Sequence, residues 1–168
     1  MRFAGALVAV ALALALQTTL AQLLVGGTVA IDLVLVAVVS VALTMGPVSG
    51  LLSGSVAGLI QDALSSGVLG IGGLAKSVIG FVAGVIGQQF ILTSTLPRFA
   101  MFVGATAAHA ALFIGLYVGL GLKMFPSPWK AVLSQAIGNA VVGVVAFAIM
   151  DALPGVLERR RAGRRPRG

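Results

Sequence analysis

Few side chains in this sequence are able to do chemistry, and they are far apart along the chain. The ionisable residues of its long apolar stretches include Asp32, Asp62, Lys76 and His109. An ionisable side chain in hydrocarbon is costly, so each of these residues needs a partner or a function. The chain has no cysteine and one histidine, and no spacing among its polar residues matches a catalytic motif. We therefore expect no enzyme activity, no metal and no cofactor.

The two opposite charges on neighbouring apolar runs are Asp62 and Lys76. Counted from a turn at Gly67, their depths differ by roughly 6 Å at a rise of 1.5 Å per residue, within reach of a lysine side chain. We therefore predict an ion pair across a helical hairpin. Such a pair either neutralises two buried charges and locks the hairpin, or marks a polar spot that faces a partner or ligand, and both interpretations stay open.

The other polar residues predict contacts between helices. Asp32 stands at the outer start of an apolar run, where a helix N-terminus favours a carboxylate, so we predict a helix cap. His109 and Asn139 fall near the middle of their runs, where a hydrogen bond between helices is the usual role. Asp151 is close to the arginines at the C-terminus and is expected to be paired or hydrated.

The elements that carry these residues are predicted to be transmembrane helices. The chain is 59% hydrophobic and 9% charged, which is too little charge to cover a soluble domain and typical of a protein solvated by lipid. Breaks at Gly26-Gly27, at Gly46-Pro47 and at residues 125–128 separate the apolar runs. The sequence therefore predicts an all-α membrane protein of about six spans, at residues 3–24, 28–45, 48–64, 68–92, 99–122 and 129–157.

Charge predicts the orientation of these spans. An even number places both termini on one side, and Arg2, Arg98 and the C-terminal arginines mark that side as cytoplasmic. Lys123 and Lys130 fall on the other side but are outnumbered. We expect one transmembrane domain, residues 1–157, with an uncleaved first helix, and a basic tail, residues 158–168. The tail has no aromatic residue on which bases could stack, so we expect no nucleic-acid partner.

Glycines recur at helical spacing. Gly50, Gly54 and Gly58 are four residues apart and form one smooth ridge, and Gly80 with Gly84 repeats the spacing. Gly115 and Gly119 repeat it once more in a later run. Small residues let two helix backbones approach closely in lipid. The ridges therefore predict either tight packing within this chain or a face that docks another membrane protein.

The middle of the chain resembles a known family. The resemblance covers residues 32–87 and the outer spans match in hydropathy. It is carried by Asp32-Leu33, Gly46-Pro47-Val48-Ser49-Gly50, Gly54, Gly58-Leu59, Gln61-Asp62 and Leu69-Gly70. These residues, with the overall length and about six spans, resemble the rod-shape-determining protein MreD family.

The resemblance implies a non-enzymatic scaffold of the bacterial inner membrane. Proteins of this family link the cytoskeleton to lateral peptidoglycan synthesis and so maintain rod shape. The partners it implies are the single-span protein MreC and, in the wider complex, the RodA glycosyltransferase, a penicillin-binding transpeptidase and MreB filaments. Gly50, Gly54, Gly58 and Asp62 match the motif of the central hairpin of the family, which has no catalytic residue to transfer.

An alternative function belongs to a different class. Substrate-binding components of energy-coupling-factor vitamin transporters are also small, glycine-rich proteins of about six spans. They dock a transport partner through alanines at every fourth position of the first span, and Ala9 with Ala13, or Ala11 with Ala15, has this spacing. A vitamin site also needs several polar or aromatic groups, and this chain has one tryptophan and one tyrosine.

Overall fold

A computed structural model of the chain shows six helices and describes residues 2–23, 31–65, 67–90, 94–122 and 128–162. The predicted breaks at Gly26-Gly27 and at residues 125–127 lie outside these residues. The second apolar run predicts a helix from residue 28, whereas the observed second helix begins at Leu33. The helices are α1 (Arg2–Leu23), α2 (Leu33–Met45), α3 (Pro47–Leu64), α4 (Ile71–Gln89), α5 (Thr95–Gly119) and α6 (Trp129–Ala162).

Within the part of the chain that the structure describes, three helices are long and apolar enough to cross a membrane. They are α4, α5 and the part of α6 from Trp129 to Ala152. Shorter apolar helical stretches cover Gly5–Thr19 and α2. Many large apolar side chains point outward, among them Leu7, Leu52 and Ile149, each more than half exposed. An outer surface of this kind fits a helical protein that has lipid as its solvent.

The turn between α2 and α3 follows from its sequence. Gly46 has a φ of 93°, a backbone conformation that residues with a side chain rarely adopt. Pro47 then begins α3, in the first turn of a helix, where its missing N–H costs nothing. The glycine and the proline together make the sharp reversal that the sequence predicts at this position.

Helix α2 lies at the centre of the bundle. Its thirteen residues are almost all aliphatic, so it has no polar face and packs on every side. Val34, Leu35, Val38 and Val39 are at most 1% exposed. The helix contacts each of the other five, while α3 pairs closely with α4, and α5 pairs with α6. The polar residues at its start are therefore surrounded by protein.

Candidate functional site

Side chains of α4, α5 and α6 meet the N-cap residue of α2 in one buried polar cluster. The cluster consists of Asp32, Lys76, Thr106, His109 and Asn139, each less than 7% exposed. Lys76 Nζ lies 2.8 Å from Asp32 Oδ2 and 3.4 Å from His109 Nε2. Asn139 Nδ2 donates a hydrogen bond to Thr106 Oγ1 at 3.1 Å. The charge of the lysine is therefore compensated by one carboxylate inside the bundle.

The backbone at the start of α2 is hydrogen-bonded by side chains. Asp32 N–H donates to Asn139 Oδ1 at 2.8 Å, and Leu33 N–H donates to Gln17 Oε1 at 2.8 Å. Gln17 Nε2 donates to the carbonyl of the residue before Asp32 at 3.1 Å. Leu35 N–H donates to Asp32 Oδ1 at 2.9 Å, which is the cap geometry that the sequence predicts. These side chains replace the water that a helix start otherwise uses.

The depth of the polar cluster follows from the helix bounds. His109 lies ten residues before the end of α5, and Asn139 lies ten residues after the start of α6, or about 15 Å in each case. From Lys76 to the other end of α4 is about 20 Å. Asp32 was expected at an outer end, but it lies partway between the two ends of the bundle. Helix α2 therefore starts in the interior of the bundle and not at its end.

Lys76 pairs with Asp32, and the predicted ion pair between Lys76 and Asp62 is not formed. Asp62 Oδ2 instead accepts the N–H groups of Gly70 at 2.9 Å and Gly73 at 3.1 Å. The prediction started the fourth helix at residue 68, whereas α4 begins at Ile71. The free N–H groups of that first turn bind the nearest carboxylate. Asp62 therefore caps α4, and Lys76 pairs instead with Asp32 at the start of α2.

A tyrosine holds the turn between α3 and α4 against α5. Tyr117 Oη accepts a hydrogen bond from Val68 N–H at 3.1 Å. A side chain added at Gly72 would meet the Asp62 carboxylate, which explains a glycine in this turn of α4. Sequence reasoning missed Tyr117, Thr106 of the polar cluster, and Gln17, which binds the backbone at the start of α2. Each of these residues is a lone polar side chain in an apolar run. Such a side chain can be recognised in the sequence as one that needs a hydrogen-bond partner, but the sequence does not show which partner it has.

The predicted glycine ridges meet in one contact, which we call the glycine seam. A side chain at Gly50 would meet the backbone of Gly80, and one at Gly54 would meet the backbone of Lys76. At Gly84 it would meet the backbone of Pro47. Ser55 and Ser77 add a hydrogen bond of 2.7 Å across the same contact. The glycines that let α3 and α4 approach are Gly50, Gly54, Gly58, Gly73, Gly80 and Gly84.

The glycines of α5 have different surroundings. Around Gly104, Gly115 and Gly119 no heavy atom of another part of the described chain lies within 4 Å of an added side-chain carbon. Beside Gly104, helices α4 and α5 border an open apolar groove of about 270 Å³. Its walls include Ile79 and Ala108. The spacing of four at Gly115 and Gly119 therefore serves no helix contact within the described residues.

A second ion pair joins α5 and α6 at the opposite end from the α3–α4 turn. Arg98 Nη1 lies 2.6 Å from Asp151 Oδ2, and the guanidinium lies 4.6 Å from the ring centroid of Phe147. The Asp151 side chain is 59% exposed. An exposed pair of this kind contributes little to stability, and it marks where the polar surface of the bundle begins. The expected pairing of Asp151 is thus with Arg98.

The polar groups of this site satisfy one another's charges and hydrogen bonds. In the polar cluster each polar side chain contacts another member or the backbone at the start of α2. Among the residues that the structure describes, no three histidine or acidic side chains group in a way that could hold a metal ion. The arrangement neutralises charge and joins α1, α2, α4, α5 and α6.

The fold and the polar cluster define a class: a small helical membrane protein whose few polar side chains connect its helices. Residues 1–153 match the family model of the rod shape-determining protein MreD. The chain therefore belongs to the MreD family, and the resemblance seen in its central residues is confirmed. Curated proteins and solved structures give no match. The matched range includes the polar cluster and the glycine seam, and stops before the C-terminal arginines.

Proposed function

We propose that this chain is a non-enzymatic scaffold of the bacterial cell-elongation machinery. It lies in the inner membrane, crosses it six times and keeps both termini in the cytoplasm, with residues 1–157 as the transmembrane domain. In this role it links the cytoskeleton to lateral peptidoglycan synthesis through helix contacts with membrane partners. The observation that carries the proposal is the family match over residues 1–153.

The surroundings of the polar residues support a scaffold. A general acid, a base or a nucleophile needs access to a substrate, and Asp32, Lys76 and His109 are buried against one another. Lys76 is charge-paired and hydrogen-bonded within 3.4 Å of its two neighbours. These groups fix the positions of the helices, and no chemical step is assigned to them.

The partner that we propose to dock directly is MreC, through its single membrane-spanning helix. The RodA glycosyltransferase, the penicillin-binding transpeptidase and MreB belong to the wider complex. The glycine seam is occupied by contacts between α3 and α4, so it offers no surface to a partner. The exposed face of α5 around Gly104 and Gly115 has room for a close helix approach. We therefore place the MreC helix on this face.

The experiment is a pull-down of the tagged chain from its native membrane in gentle detergent, followed by mass spectrometry. We expect MreC and the elongation synthases to be recovered. In the variant Gly104→Leu recovery of MreC should fall at least tenfold with unchanged thermal stability, since a side-chain carbon added at Gly104 has no atom of another part of the described chain within 4 Å. Undiminished recovery from Gly104→Leu would contradict the docking face while leaving the scaffold role in place.

The alternative function makes a different prediction in the same pull-down. A vitamin transporter component would bring a pair of transport ATPases and their coupling subunit. Neither the family match nor the polar cluster supports this alternative. Recovery of those subunits in place of MreC would overturn the proposed scaffold.

A further inference from the structure

The polar cluster includes a contact between two helix pairs that pack incompletely against each other. Helix α3 pairs closely with α4, and α5 pairs with α6. Between α4 and α5 lies the open apolar groove of about 270 Å³. Its walls include Ile79 and Ala105, which stand about one helical turn from Lys76 and His109. The polar contact of Lys76 with His109 therefore lies beside the place where the apolar packing is incomplete.

This contact requires a neutral histidine. Lys76 Nζ lies 2.8 Å from Asp32 Oδ2, so the lysine is a charged ammonium group paired with a carboxylate. An ammonium group donates hydrogen bonds and accepts none. At 3.4 Å from Lys76 Nζ, His109 Nε2 is therefore the acceptor, and it accepts only without a proton of its own. The closed cluster thus holds one positive charge, one negative charge and a neutral imidazole.

The surroundings of His109 provide no anion for a second positive charge. In the described part of the chain, the charged groups that act on it are Lys76 of α4 and Asp32 at the start of α2. The other members of the cluster are the uncharged Thr106 of α5 and Asn139 of α6. A proton on His109 would place two cations beside a single carboxylate that is already paired. Protonation and the closed contact are therefore incompatible.

We propose that the contact of Lys76 with His109 is a proton-sensitive latch between the α3–α4 pair and the α5–α6 pair. When the helices separate at the groove, His109 meets water, and a solvated histidine takes up a proton below about pH 6.5. The protonated ring cannot accept from Lys76 and is repelled by it, so the latch closes only after the proton has left. The proposal depends on the bundle alone and stands whether or not a partner docks on α5.

The pH dependence of the opening follows from proton linkage. The open form binds one more proton than the closed form, so opening becomes more favourable as the pH falls below about 6.5 and is constant well above it. For one proton, the ratio of open to closed form should be about tenfold higher at about pH 5.5 than at about pH 7.5. A solvated aspartate titrates near pH 4 and a solvated lysine above about pH 10, so Asp32 and Lys76 add nothing in this range.

The test measures how fast single cysteines react with N-ethylmaleimide in the full chain, held in lipid nanodiscs. The chain has no cysteine of its own. Ala105→Cys places a thiol on the groove wall at a position only 7% exposed, and Ala108→Cys places one at an exposed position of the same wall. The ratio of the two rates removes the effect of pH on the thiol itself. We expect this ratio to rise about tenfold from about pH 7.5 to about pH 5.5.

A cysteine elsewhere in the core separates the latch from general unfolding. Ala57 of α3 is fully buried in a core cluster with residues of α1 and α2. The rate at Ala57→Cys, divided by the rate at Ala108→Cys, should not change with pH. An equal rise at Ala57→Cys and at Ala105→Cys would mean that acid unfolds the whole bundle and would overturn the latch. A constant ratio at Ala105→Cys would overturn it as well.

A histidine variant assigns the proton. In His109→Gln the side chain keeps an oxygen that accepts from Lys76 but does not titrate. Combined with Ala105→Cys, this variant should show a rate ratio that is independent of pH. A pH dependence that persists in His109→Gln would show that another group takes up the proton, which would contradict the proposal. The comparison of Ala105→Cys with Ala57→Cys decides on the latch even without this variant.

Discussion

The side chains of Asp32 and Lys76 stabilise the bundle only as a pair. Each is at least nine-tenths buried inside the helix bundle. A buried charge without its partner is more costly than a buried pair, because the desolvation of the remaining charge is no longer compensated. His109 adds a polar contact to Lys76 but no compensating charge when neutral. The pair is therefore the residue-scale feature most sensitive to a single substitution.

Removing one charge should cost more than removing both. Lys76→Met should lower the free energy of unfolding by about 3–5 kcal/mol, because it leaves the Asp32 carboxylate buried and unpaired. Adding Asp32→Asn should recover much of this loss, since asparagine keeps an oxygen for the N–H group of Leu35. Unfolding in detergent, followed by circular dichroism, measures both effects. As a control, adding Asp62→Asn to Lys76→Met should recover none of the lost stability. If it did recover stability, Asp62 and not Asp32 would be the partner of Lys76, as the sequence predicts.

The tyrosine at the α3–α4 turn gives a second prediction at this scale. Tyr117→Phe removes the oxygen that accepts the Val68 N–H and should reduce stability by about 0.5–1.5 kcal/mol, the usual net contribution of one hydrogen bond. Hydrogen exchange should show the loss of protection at the Val68 N–H, while the half of α4 farther from the turn keeps its protection. Protection at Val68 equal to that of the parent protein would contradict the assignment.

At the residue scale the sequence predicts which side chains need partners, but not the partners. Asp32, Lys76 and Asn139 stand out because polar groups in apolar runs must be satisfied. Their contacts join helices that are far apart in sequence: Asp32 and Asn139 are 107 residues apart. Depth counted within one hairpin favoured Asp62 for Lys76, because nothing in the local sequence shows that the first turn of α4 binds Asp62.

At the scale of the elements, glycine has two uses in this chain. In α3 and α4 it removes side chains where two backbones touch, and in α5 it leaves an exposed face without side chains. Glycines spaced four residues apart predict a close approach of two helices in both cases. The spacing could not distinguish them, because the difference depends on which helices become neighbours in the folded chain. The start of α2 also escaped prediction, since its residues are as apolar as those of a full-length span.

The two uses predict opposite effects of the same substitution. Gly54→Ala should destabilise the protein by about 1–3 kcal/mol or more, because the methyl group meets the backbone of α4. Gly104→Ala is the matched control, and it should be neutral or stabilising by up to about 1 kcal/mol, since alanine is the better helix former. Thermal unfolding of the two variants in the same detergent measures the difference. Equal effects would contradict the glycine seam.

At the scale of the whole molecule, composition alone predicts a helical membrane protein, because so few charges cannot cover a soluble surface. The family resemblance of residues 32–87 then predicts the role. The position of α2 at the centre is not readable from composition, because an almost wholly aliphatic helix can face lipid as well as protein. It follows from the side-chain contacts at the start of α2, which bring residues of α1, α4, α5 and α6 around it.

The proposed crossing number and orientation predict a pattern of accessibility. Single cysteines at Ser94 and Gly168 should react with a membrane-impermeant thiol reagent only from the cytoplasmic side, and one at Ser65 only from the opposite side. The chain has no cysteine of its own, so each signal belongs to one position. Labelling of Ser94→Cys and Gly168→Cys from opposite sides would contradict an even number of crossings between them.

The buried start of α2 also affects biogenesis. With 13 residues, α2 is shorter than the roughly 20 that insert as a complete span. One of its hydrogen-bond acceptors, Gln17, has already been synthesised when α2 leaves the ribosome, but Asn139 is made only after α5 is complete. A nascent chain that stops before α6 therefore lacks the acceptor for the Asp32 N–H group, which is buried in the finished bundle. We expect such truncated chains to be recognised by membrane proteases, so that quality control acts on the completion of α6.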